Sequence, residues 1–360
     1  MRKFLILAAA LVVSASLAMT GCAKKKTDDG KFKVGVSMPT KSLQRWNQDG
    51  ANMKGQLEAA GYAVDLQYGG ENEIPVQVAQ IENMIQGGCK ALVIAAIDGS
   101  ALTNVLKAAK EKGVAVIAYD RLIMNSDAVS YYATFDNYKV GQFQGQFIAD
   151  KLGLPAASGP YNIELFTGAP DDNNVNFFFG GAMDVLTPYI DAGKLKVLSG
   201  QTSKAQCATQ NWSTEESQKR MENLITSQKY GPNGTQLAAV LSSNDSVANG
   251  ITNALVGAGY NKDNFPVLTG QDCDLPSVKN MLAGLQTMSV FKDTRSLASQ
   301  VVKMLTAIAN GQTPEVNDTK TYDNGTGIVP SYLLPPIVVT LENYKEALLD
   351  SGYYKPEQIQ

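Results

Sequence analysis

Charged and amide side chains follow the predicted β-strands of this chain at the points where the strands end. The residues in these positions that are suited to contact a ligand are Arg45, Trp46, Asp120, Arg121, Asp172, Asn174, Trp212, Asn244, Asp245, Asp272 and Lys292. They combine pure hydrogen-bond donors, pure acceptors, and amides that do both. Ligands of open parallel sheets bind beyond the carboxyl ends of the strands, so we expect these side chains to line one cleft. The mixture predicts recognition of a neutral polyol.

The hydroxyl chemistry of a sugar explains that prediction. Each hydroxyl donates one hydrogen bond and accepts up to two, while a carboxylate accepts from two neighbouring hydroxyls and a guanidinium donates to two. The C–H faces of a sugar ring pack against aromatic planes. Trp46 and Trp212 are the two tryptophans of the chain and lie in loops of different halves. We therefore expect them to enclose a sugar ring from two sides.

A single charged residue that follows a strand has a simpler interpretation when it is taken alone. Asp98, Asp171 and Asp245 each precede a helical pattern, where aspartate is a common N-cap. Arg45 or Lys292 by itself is typical of a solvated surface charge. Their joint occurrence after strands of both halves favours a binding site, because solvated surface charges would not be concentrated at the carboxyl ends of the strands.

Short apolar runs alternate with helical patterns from Phe32 onward, and this βαβ order predicts parallel sheets covered by helices. Strands are predicted at 33–38, 63–68, 91–96 and 114–119 in the first half, and at 161–166, 195–199, 237–242, 266–269 and 287–290 in the second. The stretch 310–336 is rich in Gly, Pro, Asn and Thr, which predicts an extended connection between the halves. The fold class is therefore α/β, with two Rossmann-like sheets in succession.

The composition excludes several classes of protein. The 360 residues include 31 Lys and Arg, 34 Asp and Glu and no histidine, for a net charge of -3. Without a basic excess, nucleic acid is not an expected partner. The absence of histidine argues against triad hydrolases and zinc enzymes but leaves a binding protein unaffected. No phosphate-binding loop or nucleophile elbow occurs, so we predict that the chain is not an enzyme; a sugar-modifying enzyme that uses paired carboxylates is the alternative.

The N-terminus has the pattern of a bacterial export signal. Arg2 and Lys3 precede an uncharged run at 4–18, and Cys22 follows a small residue as in a lipobox, although Met19 stands where Leu is usual. We predict a signal peptide at 1–21, lipidation of Cys22 and a solvated tether at 22–31, with an uncleaved anchor as the alternative. The protein would then lie in the periplasm or at the outer face of the cytoplasmic membrane, held there by its lipid alone.

Eight stretches of the sequence carry a resemblance to a known protein family. They are MPTKSLQRW (38–46), QIENMI (80–85), AYDRLI (118–123), YYATFDN (131–137), APDDNN (169–174), GQDCD (270–274), VFKDTR (290–295) and PEVNDTKTYDNG (314–325). Through them the whole chain resembles periplasmic sugar-binding proteins of ABC transporters, in the branch of xylose-binding and ChvE-type multiple-sugar-binding proteins. The resemblance implies that the pyranose is held by Arg45, Arg121, Asn174, Trp212, Asp272 and Lys292. It also implies that these residues have five neighbours in the same site, namely Trp46, Asp120, Asp172, Asn244 and Asp245.

The same resemblance implies a fold of two lobes joined by three crossings, with an N-terminal lobe at 32–137 plus 293–328 and a C-terminal lobe at 138–292 plus 329–360. The crossings are expected near Asn137, near 292–293 and within 325–330. The expected function is capture of an aldose monosaccharide and its delivery to an ABC permease; signalling to a chemoreceptor or sensor kinase is the alternative. We expect a monomer with no cofactor and no metal. A repressor of the same sensor fold would need a helix-turn-helix where the export signal lies.

Two departures from the family pattern bear on the choice of sugar. Cys273 stands beside Asp272 where alanine is common, and Ser243, Asn244 and Asp245 follow the xylose-binding form of their loop. The other motifs are closer to the ChvE form. Glucose, galactose, arabinose and xylose therefore all remain candidates, with either narrow or broad specificity.

Overall fold

The structure is a computed structural model that describes residues 30–360 of the chain. The predicted export signal, Cys22 and most of the predicted tether lie outside the described residues. Within the described part, the strands are β1 (Lys33–Met38), β2 (Ala63–Tyr68), β3 (Ala91–Ile94), β4 (Ala115–Tyr119), β5 (Val129–Phe135), β6 (Tyr161–Phe166), β7 (Leu195–Lys196), β8 (Ala239–Ser242), β9 (Val267–Leu268), β10 (Ser289–Phe291), β11 (Ser331–Leu334) and β12 (Ile337–Val339).

Helices separate most of these strands. The α-helices are α1 (Gln44–Ala59), α2 (Ile74–Gln86), α3 (Thr103–Glu111), α4 (Asn137–Lys151), α5 (Asn174–Asp191), α6 (Lys204–Cys207), α7 (Thr214–Gln228), α8 (Asp245–Gly257), α9 (Leu275–Leu282), α10 (Thr294–Ala309) and α11 (Pro356–Ile359). A short 3-10 turn spans Gln210–Trp212, and a π-helical turn spans Lys345–Asp350. Among residues 30–360, no helix has the length and apolar character that a bilayer crossing requires.

The first lobe contains a parallel six-stranded sheet with the order β11-β5-β4-β3-β1-β2. Helices cover both of its faces, so β3 and β4 are almost continuously apolar. On one face, Trp46, Met53 and Leu57 of α1 pack with Leu297 and Val301 of α10. The other face is covered by α2 and α3. The first turn of α1 is thereby placed at the carboxyl end of β1.

The second lobe contains a parallel sheet with the order β7-β6-β8-β9. One apolar cluster packs α4 and α5 against β6 and β8, and another packs α7 and α8 against β8 and β9. The antiparallel pair β10-β12 extends this lobe, because Gln271 bridges to Val290 of β10. The predicted α/β architecture with two parallel sheets is confirmed.

Three chain crossings join the lobes. The chain crosses at Asn137, between β5 and α4, and at 292–293, between β10 and α10. The third crossing lies at 335–336, after the region 325–330 that the sequence predicts. Ser331–Leu334 pairs with Tyr132–Phe135 of β5, so this strand belongs to the first sheet. The predicted boundary between 328 and 329 is therefore wrong, because it assigns β11 to the second lobe.

The sequence pattern identified some strands and missed others. The predictions 33–38 and 63–68 coincide with β1 and β2. The strands β5 and β11 were not predicted. The β5 sequence VSYYATF carries hydroxyl side chains among its apolar residues, and β11 lies in a stretch dominated by turn-forming residues.

Two helices of the second lobe, α4 and α5, pack with their backbones in close contact. A Cβ atom at Gly141 of α4 would overlap the carbonyl oxygen of Phe178 on α5. Only glycine therefore allows this helix spacing. In contrast, a Cβ atom at Gly180 of α5 would meet no atom within 4 Å.

These two glycines generate a matched prediction. Gly141→Ala should lower the free energy of unfolding by about 1–3 kcal/mol, because α4 and α5 must move apart. Gly180→Ala should leave it unchanged or raise it by up to about 1 kcal/mol, because alanine favours the helix. Urea denaturation followed by circular dichroism measures both variants. Equal stability of the two would show that the α4–α5 contact is more tolerant than its geometry indicates.

Candidate ligand-binding site

A cavity lies between the two lobes, with about 290 Å³ of space not filled by atoms when open solvent is included. It is lined by Leu43, Arg45, Trp46, Asp120, Arg121, Asp172, Asn174, Phe178, Trp212, Asn244, Gln271, Asp272 and Lys292. The structure thus brings together all the predicted site residues except Asp245. Leu43, Phe178 and Gln271 also line the cavity, although the sequence analysis did not assign them to the site.

The ends of the parallel strands position these side chains. In the first lobe, the chain reaches the cavity after β1 and β4; in the second lobe, it does so after β6, β8 and β9. Lys292 follows β10 at the second crossing. Asn244 is the N-cap of α8 and accepts a hydrogen bond from the Val247 N–H at 3.0 Å, so it serves as a cap and as part of the lining.

The guanidinium of Arg45 connects carboxylates of both lobes. Its Nε and Nη2 donate to Oδ2 of Asp49 at 3.0 and 2.9 Å. Its Nη1 lies 3.0 Å from Oδ2 of Asp120 and 3.5 Å from Oδ1 of Asp272. Asp49, which also accepts a hydrogen bond from the Tyr119 hydroxyl, was missed by the sequence analysis. Its signal in the sequence is the i,i+4 spacing from Arg45 on α1.

The electrostatics of this cluster keep Arg45 and Asp120 charged. Burial lowers the pKa of Arg45, but Asp120, Asp49 and Asp272 outweigh it and raise that pKa well above its ordinary value. Burial raises the pKa of Asp120, but Arg45, Lys292 and Arg121 together lower it below its ordinary value. Buried charges are tolerated only when they are paired in this way.

Lys292 and Arg121 complete the set of cations. The Nζ of Lys292 lies 3.1 Å from Oδ1 of Asp272 and 3.7 Å from Oδ2 of Asp120. The Nε of Arg121 lies 3.0 Å from Oδ2 of Asp172, across the cleft, and its Nη1 donates to backbone carbonyls after β3. Among residues 30–360, no group of three His, Cys, Asp or Glu residues is arranged to hold a metal ion.

Backbone strain is concentrated around the cavity. Asp120 and Asp272 have φ of 60° and 96°, in the left-handed region that side chains rarely adopt. The carbonyl oxygen of Asp120 accepts hydrogen bonds from the hydroxyls of Tyr132 and Thr134 and from Nδ2 of Asn174, at 2.6, 3.0 and 2.8 Å. These bonds hold the strained turn, and the bond from Asn174 comes from the opposite lobe. Strain of this kind marks functional sites.

Aromatic rings form the apolar part of the lining. The guanidinium carbons of Arg45 and Arg121 lie 4.3 and 5.1 Å from the ring centroid of Trp46. The ring of Trp212 meets Phe178 edge to face, with centroids 6.2 Å apart. Trp212 itself has φ of 57°, and a Cβ atom at Gly168 would overlap its indole. The indole N–H groups of both tryptophans and Oε1 of Gln271 are buried and have no hydrogen-bond partner within residues 30–360.

Asp245 is a structural residue, so its assignment to the ligand site is corrected. It stands in the first turn of α8, and its carboxylate accepts hydrogen bonds from the Ser289 hydroxyl at 2.9 Å, the Gln286 amide at 3.0 Å and the backbone N–H of Asp274 at 2.9 Å. Neither Asp245 nor any of these three partners lines the cavity. These contacts hold the loop that carries Asp272.

The two other aspartates that the sequence presented as caps have different surroundings. Asp98 accepts a hydrogen bond from the Ser100 N–H at 2.7 Å within the turn before α3. Asp171 lines a second cavity of about 360 Å³, which adjoins the first along Leu43, Arg121 and Trp212. It therefore lies at the rim of the site.

The three cysteines outside the N-terminal segment are free and buried. Burial raises the pKa of the Cys89 and Cys207 thiols to about 11 and the pKa of Cys273 well above its ordinary value. All three therefore carry protonated thiols at neutral pH. Cys89 packs as a buried residue in the apolar cluster of the first lobe.

Asp274, in the loop that carries Asp272, and Asp245, at the start of α8, are two buried carboxyl groups with raised pKa values. Burial, followed by the charge of Asp272, raises the pKa of Asp274 to about 7. Burial, followed by the charges of Asp274 and Asp272, raises the pKa of Asp245 well above its ordinary value. The Oδ1 atom of Asp274 is buried and has no hydrogen-bond partner within residues 30–360. Both carboxyl groups therefore hold a proton to a higher pH than an exposed aspartate does.

This titration predicts a pH dependence of stability. The folded protein binds more protons at Asp274 than the unfolded chain, so its contribution to stability falls as the pH rises from about 4 to about 7. Asp274→Asn should reduce this fall and raise the free energy of unfolding at pH 8 by roughly 1–3 kcal/mol. Denaturant titrations at pH 5 to 8 measure the effect, with the exposed Asp263→Asn as control. Parallel pH curves for wild type and Asp274→Asn would contradict the assignment.

Comparison with known proteins places this geometry in a family. A family model for the periplasmic binding protein domain matches residues 34–313. The multiple sugar-binding periplasmic receptor ChvE of Rhizobium radiobacter is 51% identical over 354 residues, which are 98% of this chain and 97% of that protein. The D-xylose-binding periplasmic protein of Escherichia coli K12 is 36% identical over 349 residues, which are 97% and 98% of the two chains.

A solved structure agrees with the sequence relatives. An ABC transporter solute binding protein from Clostridium phytofermentans, determined with bound beta-D-glucose, has 61% sequence identity and a TM-score of 0.88, and the match covers 91% of this chain and all of that one. The fold, the motifs and the relatives therefore agree. The chain belongs to the periplasmic binding proteins of type I fold, in the branch of the ChvE and xylose-binding proteins.

Proposed function

We propose that this protein captures an aldose monosaccharide in the cavity between its lobes and delivers it to an ABC importer. The observation that carries the proposal is the mixed lining of the cavity. Three cations, four carboxylates and three amides are held within or directly beside it, next to two tryptophans and a phenylalanine. Such a set offers donors and acceptors to adjacent hydroxyls and apolar planes to the C–H faces of a ring.

The relatives support this choice of ligand. The relative from Clostridium phytofermentans was solved with glucose, and a solute binding protein from Chloroflexus aurantiacus, 34% identical with a TM-score of 0.80, was solved in complex with D-glucose. The related protein SbpA of Azospirillum brasilense, 54% identical over 328 residues, is named a multiple sugar-binding periplasmic protein. We therefore place glucose and xylose first among the candidate ligands.

Closure of the cleft would couple binding to delivery. Arg45 approaches Asp272, Arg121 approaches Asp172 and Asn174 bonds to Asp120, each pair crossing between the lobes. A sugar that contacts both lobes would add differential affinity for this closed form and shift the population toward it. The importer would then recognise the closed form. Lipidation at Cys22 would keep the receptor next to the membrane that contains the importer.

Calorimetric titration of residues 31–360 tests the proposal. The panel comprises glucose, galactose, xylose, arabinose, a disaccharide, an amino acid and a nucleoside. We expect one or more aldoses to bind with a dissociation constant of about a micromolar, or about -8 kcal/mol. Binding of xylose alone would indicate narrow specificity. Heat from a different ligand class, with none from any aldose, would overturn the proposal.

Two aspartates should differ in their effect on sugar affinity. Asp272 lies in the charged inner cavity, whereas Asp171 lies at the rim. Asp272→Asn should weaken binding by about 10- to 100-fold, because a carboxylate makes stronger hydrogen bonds to hydroxyls than an amide does. Asp171→Asn should weaken it by less than about threefold, in line with an exposed polar contact. Equal losses in the two variants would count against this division of the site.

A further inference from the structure

The hydroxyl of Tyr354, near the C-terminus, is saturated with hydrogen bonds, two of which join the two lobes. It donates to the carbonyl oxygen of Cys273 at 2.9 Å. It accepts from the side-chain amides of Gln44 at 2.6 Å and Gln48 at 3.3 Å. A phenolic hydroxyl offers one donor and two acceptor positions, so all of them are used. Tyr354, Gln44 and Gln48 do not line the ligand cavity.

Gln44 makes a second contact across the same boundary. Its Oε1 accepts the backbone N–H of Leu275 at 3.1 Å. Leu275 is the first residue of α9, and the N-cap residue Asp274 makes no side-chain capping bond there. A side chain of the first lobe therefore satisfies a free N–H at the start of a helix of the second lobe. Gln44 holds α9 and Tyr354 at the same time.

The packing shows to which lobe each partner belongs. The ring of Tyr354 is 3% exposed and packs in a cluster with Cys273, Phe291 and Val339 of the second lobe. Gln44 and Gln48 lie on α1, one turn apart, in the first lobe. We call the set of Gln44, Gln48, Tyr353 and Tyr354 the tail latch. The hydroxyl of Tyr353 adds a bond to Oε1 of Gln48 at 3.2 Å.

The tail latch lies directly behind the ligand site. Gln44 precedes Arg45 in the first turn of α1, and Cys273 follows Asp272 in the loop of the second lobe. The inter-lobe bonds of the latch run from Gln44 and Gln48 to Tyr354 and from Leu275 to Gln44. They lie close in sequence to Arg45 and Asp272, which face each other across the cavity. When the lobes separate, these bonds must break together with the pair of Arg45 and Asp272.

We propose that Gln44 and Tyr354 are positioning residues for ligand binding, which stabilise the closed arrangement and so set the rate of ligand release without touching the ligand. This inference rests on the proposed function for its sugar ligand. Its physical basis is differential stability: a contact made only between closed lobes raises the apparent affinity of any ligand that binds the closed form. It should act on dissociation, because the encounter precedes closure.

Sugar binding measured by stopped-flow fluorescence tests the tail latch. Trp46 and Trp212 both line the cavity and are the two tryptophans of the chain, so they report on binding directly. Gln44→Ala and Tyr354→Phe should each raise the dissociation constant about 3- to 20-fold, as expected for loss of one or two part-buried hydrogen bonds. The dissociation rate should rise by the same factor, while the association rate stays within about twofold. The double variant should weaken binding by much less than the product of the single effects, because both remove the same bond.

Two control variants lose comparable hydrogen bonds inside the first lobe alone. Gln80→Ala removes a bond from the Gln80 amide to the carbonyl of Tyr68 at 2.8 Å. Tyr62→Phe removes the contact of the Tyr62 hydroxyl with Thr306 at 3.1 Å. Both should lower the melting temperature of the sugar-free protein and leave the dissociation rate of the sugar unchanged. Tyr354→Phe preserves the ring in its cluster, so it remains informative even if Gln44→Ala folds poorly.

The outcomes separate this inference from the proposed function. If the wild type binds an aldose and the latch variants match its dissociation rate, the tail latch is only structural and the inference fails. If the wild type binds no aldose, the proposed function fails, and small-angle X-ray scattering of the sugar-free proteins decides the latch. A larger radius of gyration for Gln44→Ala and Tyr354→Phe than for wild type and controls would support it. Equal radii in all five proteins would overturn it.

Discussion

The ionic contact of Arg45 with carboxylates of both lobes is the constraint on which the rest of the site depends. Arg45 is 6% exposed, so its guanidinium needs the compensation that Asp49, Asp120 and Asp272 provide. Asp49 comes from the same helix, Asp120 from the end of β4 and Asp272 from the second lobe. The sheet edges of both lobes must therefore meet at this one side chain. No single element of the fold can supply the pairing alone.

The backbone is adapted to this pairing. Asp120 adopts a left-handed conformation, and its carbonyl accepts three hydrogen bonds that stabilise the turn. One of them comes from Asn174, so that amide is engaged with the opposite lobe in the closed arrangement. Its Oδ1 accepts a bond from the Tyr132 hydroxyl at 3.0 Å, so the side chain can offer a ligand one N–H and one remaining lone pair. Lobe closure and ligand binding thus use the same polar groups, so the affinity for the ligand depends on the relative position of the two lobes.

Much of this arrangement could be predicted from the sequence, because the carboxyl ends of parallel strands meet at one sheet edge. That rule located Arg45, Arg121 and Lys292 without any knowledge of distances. It could not separate the neighbours Asn244 and Asp245, because the capping geometry of α8 decides which of the two faces the cavity. It also could not find Phe178, since an apolar residue inside a helix has no pattern that distinguishes lining from core. The strand β11 was missed because its pairing partner, β5, is distant in sequence.

On helix α1, two pairs of side chains with the same i,i+4 spacing make two different sets of contacts. Arg45 and Asp49 are four residues apart and face the charged cavity, while Gln44 and Gln48 have the same spacing and face the C-terminal tail. Each pair lies one residue from the other, about 100° around the helix axis. A rotation or shift of α1 therefore changes both contacts at once. Because the helix packs against α10 and the first sheet, we expect the ionic contact and the tail contact to form and break together.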